Sequence, residues 1–300
     1  MNSSVFFLIG VESTELTERE RALFAKFPPG GVILFARNMA DPDQLHSLVA
    51  EIRERAPGVL LFVDQEGGPV DRFRAIAGSS VSAARAARIG ASRAAGEIAG
   101  ALCSLFGIDV DLAPVVDRAV PAAGGVVLTE RVVAENPDDV AKAGRQFLDG
   151  LALYGVAGCL KHFPGLGRGA VDSHVLLPVI DDDPRQLELD LLPFRKLRDA
   201  PAVMVSHAAF GRGALPSSLS RAVAHDLLRE EAGFPGAAIS DDLEMGALSA
   251  FGSLADRSAA ALAAGCDLLC IGKQNEALPD AVEAVERMVP ARRTLEALER

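Results

Sequence analysis

Eight short runs of apolar, mostly aliphatic residues recur along the chain. They are Val5–Val11, Gly31–Ala36, Val59–Val63, Ile108–Val115, Val156–His162, Ala202–His207, Gly236–Ser240 and Asp267–Gly272. Between them lie longer amphipathic segments, near Glu15–Lys26, Asp43–Glu54, Ser82–Leu105, Asp138–Tyr154, Pro184–Arg198, Ser220–Glu231, Leu254–Ala264 and Glu276–Met288. The short runs predict strands covered on both faces, the habit of parallel strands joined by helices. Asn136-Pro137 and Asp183-Pro184 read as an N-cap followed by Pro at the first helical position. Gly155, Gly233 and Gly265 read as helix stops. Eight such units in this length predict an α/β fold, a (β/α)₈ TIM-type barrel. Periodicity does not distinguish a closed barrel from an open, doubly wound sheet. No linker or low-complexity stretch divides the chain, so residues 1–300 are expected to form a single domain.

Composition bears more on partners than on fold. Hydrophobic residues make up 49% and charged residues 24%, as in an ordinary globular chain. Thirty Lys and Arg against 41 Asp and Glu give a net charge of −11, which argues against a nucleic-acid or anionic-membrane surface. No run approaches the roughly 18 apolar residues of a membrane span, and the N-terminus lacks the basic region of a signal peptide. The four cysteines have no metal-type spacing and read as buried thiols in a reducing compartment. A cytoplasmic, monomeric protein without nucleic-acid or membrane partners is expected. With no Trp and one Tyr, any polar ligand must be held by charges and amides rather than by stacking.

The barrel reading makes a statement about polar residues, because active sites of this fold lie at the C-terminal strand ends. Asp64-Gln65-Glu66 follows the third strand, Asp117 the fourth, Lys161-His162 ends the fifth, His207 the sixth, and Asp241-Asp242 follows the seventh. The segment from Lys161 to His174 carries glycines at 165, 167 and 169, which predict a flexible loop. It lacks a Gly-Lys-Ser/Thr ending, and an extended rather than helical segment follows, so phosphate binding at a helix start is disfavoured. Within it, Asp172 stands two residues before His174, where a carboxylate can accept Nδ1–H and raise the basicity of the ring; the plainer reading is a turn with a solvated His. A Ser–His–Asp triad is disfavoured because Ser173 sits between its partners and no nucleophile elbow is present. A metal site is also disfavoured: the first strand ends Gly10-Val11-Glu12 where metal-dependent barrel hydrolases carry His-x-His. Asp117 reads as a residue orienting its loop, Glu66 and Asp242 as loop braces or rim residues, and His207 as a rim residue.

Together these segments resemble the short, single-domain bacterial β-N-acetylglucosaminidases of glycoside hydrolase family 3. The motifs are Asp-Gln-Glu-Gly-Gly at 64–68, Ala113-Pro114-Val115-Val116-Asp117, Lys161-His162-Phe163-Pro164-Gly165, Asp172-Ser173-His174, Met204-Val205-Ser206-His207 and Ser240-Asp241-Asp242-Leu243. The resemblance implies a retaining glycosidase with a covalent intermediate; no cofactor and no metal are expected. Asp241 matches the family's nucleophile, and His174 with Asp172 its acid/base pair. Asp64, Arg72, Arg131, Lys161 and His162 match its sugar-binding set. It also implies a small-molecule substrate with non-reducing GlcNAc, such as a cell-wall-derived muropeptide, and a recycling role.

A His of ordinary pKa, about 6.5, can donate and accept a proton near neutrality, so the pair replaces the raised carboxyl of two-carboxylate glycosidases. The sugar-binding set would form a local basic cluster hidden by the net charge. Leu166 stands where the family usually has His, Arg168-Gly169 where it has a polar pair, and Pro69 where it has Arg. Two rival readings stay open. One is phosphorolysis, with Arg168 as a local cation for phosphate. The other is a sugar-binding homologue whose altered loop has cost it activity.

Overall fold

The computed structural model describes residues 3–120, 128–173, 175–181, 183–211 and 214–300. Eight parallel strands form its centre: β1 (Phe7–Gly10), β2 (Gly31–Leu34), β3 (Leu60–Val63), β4 (Val110–Asp111), β5 (Ala157–Phe163), β6 (Ala202–Val205), β7 (Ala237–Ser240) and β8 (Leu269–Ile271). Each pairs with its sequence neighbours, and β1 also pairs with β8. A parallel bridge between Ile239 and Leu268 closes the ring. The expected barrel is therefore present, and the open sheet is not.

The main surrounding helices are α1 (Glu18–Lys26), α2 (Pro42–Arg55), α3 (Ser92–Leu105), α4 (Pro137–Ala152), α5 (Pro184–Lys196), α6 (Ala222–Glu231), α7 (Leu254–Ala264), α8 (Leu278–Met288) and α9 (Ala291–Leu298). Their starts follow the chemistry of capping. Asn136 accepts the backbone N–H of Asp138 and Asp183 that of Arg185, each ahead of Pro at the first helical position. Thr17 and Glu20 form a reciprocal capping box at α1. None of the described helices is long and apolar enough to cross a membrane.

The strands are apolar throughout because they bury side chains into two cores. Leu8, Ile33, Phe62, Cys159, Met204, Ile239 and Cys270 fill the barrel interior. Their neighbours Phe7, Ile9, Val32, Leu34, Leu61, Val63, Val203 and Val205 pack outward under the helices. Side chains two residues apart on a strand share a face. Continuing that parity past the interior layer brings Asp64 above Phe62, Lys161 above Cys159 and Asp241 above Ile239. The polar mouth is thus the next layer of the same barrel.

Two departures from the pattern have local causes. The segment 82–105 is not one helix: a short helix Ala83–Arg88 ends at Gly90, whose φ of 72° suits glycine, and α3 begins at Ser92. Beyond the third strand the chain turns back as a hairpin of Gln65–Gly67 with Val70–Asp71. Gln65 Nε2 and Oε1 bind Asp71 and the Arg72 N–H, which holds the hairpin over the mouth.

Candidate active site

A cavity of about 290 Å³ opens at the C-terminal end of the barrel. Asp64, Glu66, Arg72, Arg131, Lys161, His162, Asp241 and Asp242 supply its charged and polar walls, while Ile33, Leu112, Met204 and Cys270 form its apolar floor. Of the residues expected at a sugar site, Asp64, Arg72, Arg131, Lys161, His162 and Asp241 all line this cavity. Ser173 lines it as well, which brings the 172–173 segment to its edge. Asp172 is partly exposed, and its carbonyl accepts the backbone N–H groups of Val175 and Leu176. His174 lies outside the described residues.

The charged walls form one continuous network. Lys161 Nζ lies 2.7 Å from both Asp64 Oδ1 and Glu66 Oε1. Arg72 reaches the other oxygen of Asp64 at 3.1 Å. Arg131 grips Glu66 with two parallel bonds of 2.7 and 2.8 Å, and its Nη2 stands 3.4 Å from His162 Nε2. On the far side of that ring Asp117 accepts Nδ1–H at 2.7 Å and the backbone N–H of Leu166 at 2.6 Å. Bidentate and charge-assisted bonds of this kind fix geometry as well as energy.

The network sets the protonation of its members. Burial alone would raise Asp64, but Lys161 and Arg72 outweigh it and hold its carboxyl well below the usual range. Glu66 follows the same balance, with Lys161 and Arg131 bringing it down to about 2. Burial opposes the charge on Lys161, yet Asp64 and Glu66 keep the ammonium protonated beyond the ordinary lysine range. Lys161, Arg72 and Arg131 are thus all already paired with carboxylates. The cavity is not the net basic cluster expected from sequence, because the acids Asp64, Glu66 and Asp241 match Lys161, Arg72 and Arg131 in number.

Asp241 follows β7, and its Oδ1 accepts the backbone N–H of Asp242 at 2.9 Å, which orients the carboxylate. Asp242 is braced by N–H groups of Glu244 and Gly272, and burial pushes its carboxyl up to about 6. His207 is fully buried between Ser218 Oγ and the Asp242 carbonyl, and it does not line the cavity. It braces the loop that carries Asp241.

The chain belongs to the family described as glycosyl hydrolase family 3, N-terminal domain, whose match runs over residues 6–300. It is a glycoside hydrolase. A β-hexosaminidase of Methylococcus capsulatus is 38% identical over 295 residues, covering 94% of this chain and 86% of the relative. A β-hexosaminidase of Thioalkalivibrio sulfidiphilus is 35% identical, covering 93% and 84%. Among solved structures, a family 3 β-N-acetylglucosaminidase from Paenibacillus superposes with a TM-score of 0.92 at 30% identity, over 100% of this chain. The chain spans 60% of that larger protein. NagZ from Neisseria gonorrhoeae, solved with N-trifluoroacetyl-D-glucosamine, gives 0.84 at 27% identity, covering 98% of this chain and 88% of its own.

The loop after β5 is closely packed, and one expectation about it changes. Its glycines also permit close packing: a Cβ on Gly167 would stand 1.9 Å from the Arg118 carbonyl oxygen, and one on Gly165 2.7 Å from Asp190 Cβ. Arg168 is no reserve cation for phosphate. Its Nε binds Asp190 at 2.7 Å and its Nη1 the Asp181 carbonyl, and it is not a lining residue of the cavity. Leu166 does line the cavity, packing with Leu128, Ile180 and Ala208, while its backbone still serves Asp117. Glu66 is the residue that sequence reasoning undervalued. Its signal was the i, i+2 spacing from Asp64.

Proposed function

We propose that this chain is a retaining exo-β-N-acetylglucosaminidase that removes one non-reducing GlcNAc through a covalent glycosyl-Asp241 intermediate. The observation that carries the reading is the convergence of Asp241 from β7 with the Asp64–Lys161–Glu66–Arg131 network on one small cavity. Its 290 Å³ lies at the lower edge of small-molecule sites, about 300–1,000 Å³, and suits one sugar ring rather than a polysaccharide track. The β-hexosaminidase relatives and the N-trifluoroacetyl-D-glucosamine held by NagZ support an acetamido sugar.

In this reading Asp64, Arg72, Arg131, Lys161 and His162 hydrogen-bond the sugar's hydroxyls and acetamide. An Asp241 oxygen attacks the anomeric carbon as the bond to the leaving oxygen breaks. His174, with Asp172 behind it, gives that oxygen its proton. Water then attacks the same carbon, passes a proton to His174 and releases the Asp241 carboxylate. Two inversions retain the β configuration. A muropeptide substrate, a recycling role in the cytoplasm and a single-domain monomer belong to the same proposal.

Product analysis by proton NMR with an aryl N-acetyl-β-glucosaminide tests it, run with and without phosphate. The β anomer of free GlcNAc should appear first in both. An α anomer formed first would contradict retention, and sugar 1-phosphate would make the protein a phosphorylase.

A further inference from the structure

A pocket of about 300 Å³ lies between the end of the short helix Ala83–Arg88, the start of α3 and the first half of α4. None of the residues that line it lines the cavity at the barrel mouth. It is a separate site in the same barrel.

Its polar groups lack partners within the protein. Ser92 opens α3, lines the pocket and is only 5% exposed, yet its hydroxyl has no hydrogen-bond partner among the described residues. Buried hydroxyls are as a rule hydrogen-bonded, so one left unanswered at a pocket wall points to a ligand. The helix start beside it is bare as well. Its N-cap is Ala91, which offers no capping side chain, and its first turn carries no acid. The N–H groups of such a start carry partial positive charge and favour an anion.

Full charges come from two further elements. Arg88 ends the short helix and Lys142 stands on α4; both line the pocket, and neither has an ion pair or side-chain hydrogen bond among the described residues. Asp139 is the one acid in this lining among the described residues, and it pairs with neither cation. Helix N–H groups, a hydroxyl, a guanidinium and an ammonium thus surround one small space in a chain of net charge −11. Donors from several directions suit a tetrahedral oxyanion. Val133, Ala134 and Ala143 add apolar wall, where carbon attached to that oxyanion can rest.

We infer that this pocket binds a phosphate group, free or esterified to a small molecule, through Ser92, Arg88, Lys142 and the start of α3. The site takes no part in bond cleavage, and the inference does not depend on which glycoside the barrel-mouth cavity accepts. Because Arg88 and Lys142 are exposed, binding weakens as salt rises.

Calorimetry on the whole chain at constant ionic strength tests it with inorganic phosphate and with glycerol 3-phosphate. Wild type should bind at least one of them saturably at a single site. Tighter binding of the ester assigns the pocket to a phosphate monoester, and tighter binding of inorganic phosphate assigns it to the free ion. Arg88→Ala/Lys142→Ala should weaken binding at least about tenfold, and Ser92→Ala about three- to tenfold. Ser92→Ala should also unfold no earlier than wild type without the anion, because the hydroxyl it removes bonds nothing in the fold. Turnover of a neutral aryl glycoside should stay within about twofold in every variant. No saturable binding to wild type up to about 10 mM overturns the inference, as does binding that is unchanged in the Arg88/Lys142 variant or in Ser92→Ala.

Discussion

His162 Nδ1 lies 2.7 Å from Asp117 Oδ2, and the same oxygen accepts the backbone N–H of His162 at 3.2 Å. Asp117 also accepts the Leu166 N–H, so Nδ1 is the donor of this pair, and Arg131 Nη2, which can only donate, stands 3.4 Å from Nε2 and makes that atom the acceptor turned to the cavity. The ring is thereby preset to accept a hydrogen bond from a ligand hydroxyl.

Asp117→Asn preserves shape but places an amide donor beside the ring or the Leu166 N–H. It should cost about 10- to 100-fold in kcat/KM, taking the range found for carboxylates that orient metal-bound imidazoles as the guide. Steady-state kinetics on an aryl N-acetyl-β-glucosaminide reads this. Activity within twofold of wild type would remove Asp117 from the account.

Lys161 is buried between two carboxylates that are themselves buried or nearly so. Lys161→Met should destabilise the fold by about 3–5 kcal/mol, because it leaves uncompensated charge behind. Adding Glu66→Gln should recover part of that loss by removing one orphaned charge. Denaturant unfolding measures both. A loss below about 1 kcal/mol in the single variant would show that the pairs contribute little net energy.

The pH dependence of stability carries opposite signs at two cavity acids. Asp242 titrates near 6 in the fold, above its ordinary value of about 3.9, so the folded state binds its proton more tightly. Its contribution is present below about pH 4 and is lost as pH rises through 6. Glu66, held near 2, contributes above its ordinary value of about 4.3 and loses that contribution as pH falls toward 2. Asp242→Asn should therefore flatten the decline in unfolding free energy between pH 4 and 6. Urea titrations across that range check it, and an unchanged slope would contradict the assignment.

Gly167→Ala tests whether the loop after β5 is a hinge or a packed clasp. The new Cβ meets the Arg118 carbonyl oxygen at 1.9 Å, so backbone must move. Overpacking of this kind costs about 1–3 kcal/mol, and thermal unfolding should show it. A variant as stable as wild type would restore the flexible reading.

Much of this architecture was legible in the sequence for a simple reason. Strands buried on both faces, such as Val32-Ile33-Leu34 and Val203-Met204-Val205, are continuous apolar runs, and the same two-residue parity carries Asp64, Lys161 and Asp241 into the mouth. The expected strand at 108–115 shrinks to Val110–Asp111. Pro114 has no N–H to extend a ladder, and Asp111 uses its carboxylate to bind the Gln65 N–H. The two-residue pairing of Val179–Ile180 with Ala209–Phe210 is too short to leave a periodicity. The packing role of Gly165 and Gly167 was hidden because it depends on Arg118 and Asp190, residues remote in sequence. Charge balance in the cavity was hidden likewise: Glu66 is an ordinary acid until Lys161 and Arg131 are seen on either side of it.

The central claim is a covalent sugar on Asp241. A 2-acetamido-2-deoxy-5-fluoro-β-glucosyl fluoride forms such an intermediate and slows its hydrolysis, so intact-protein mass spectrometry followed by peptide mapping tests the claim most directly. One sugar mass should appear on the wild-type protein, on the peptide containing Asp241, and be absent from Asp241→Ala. Turnover with the adduct on another residue, or an adduct that persists in Asp241→Ala, would contradict the account.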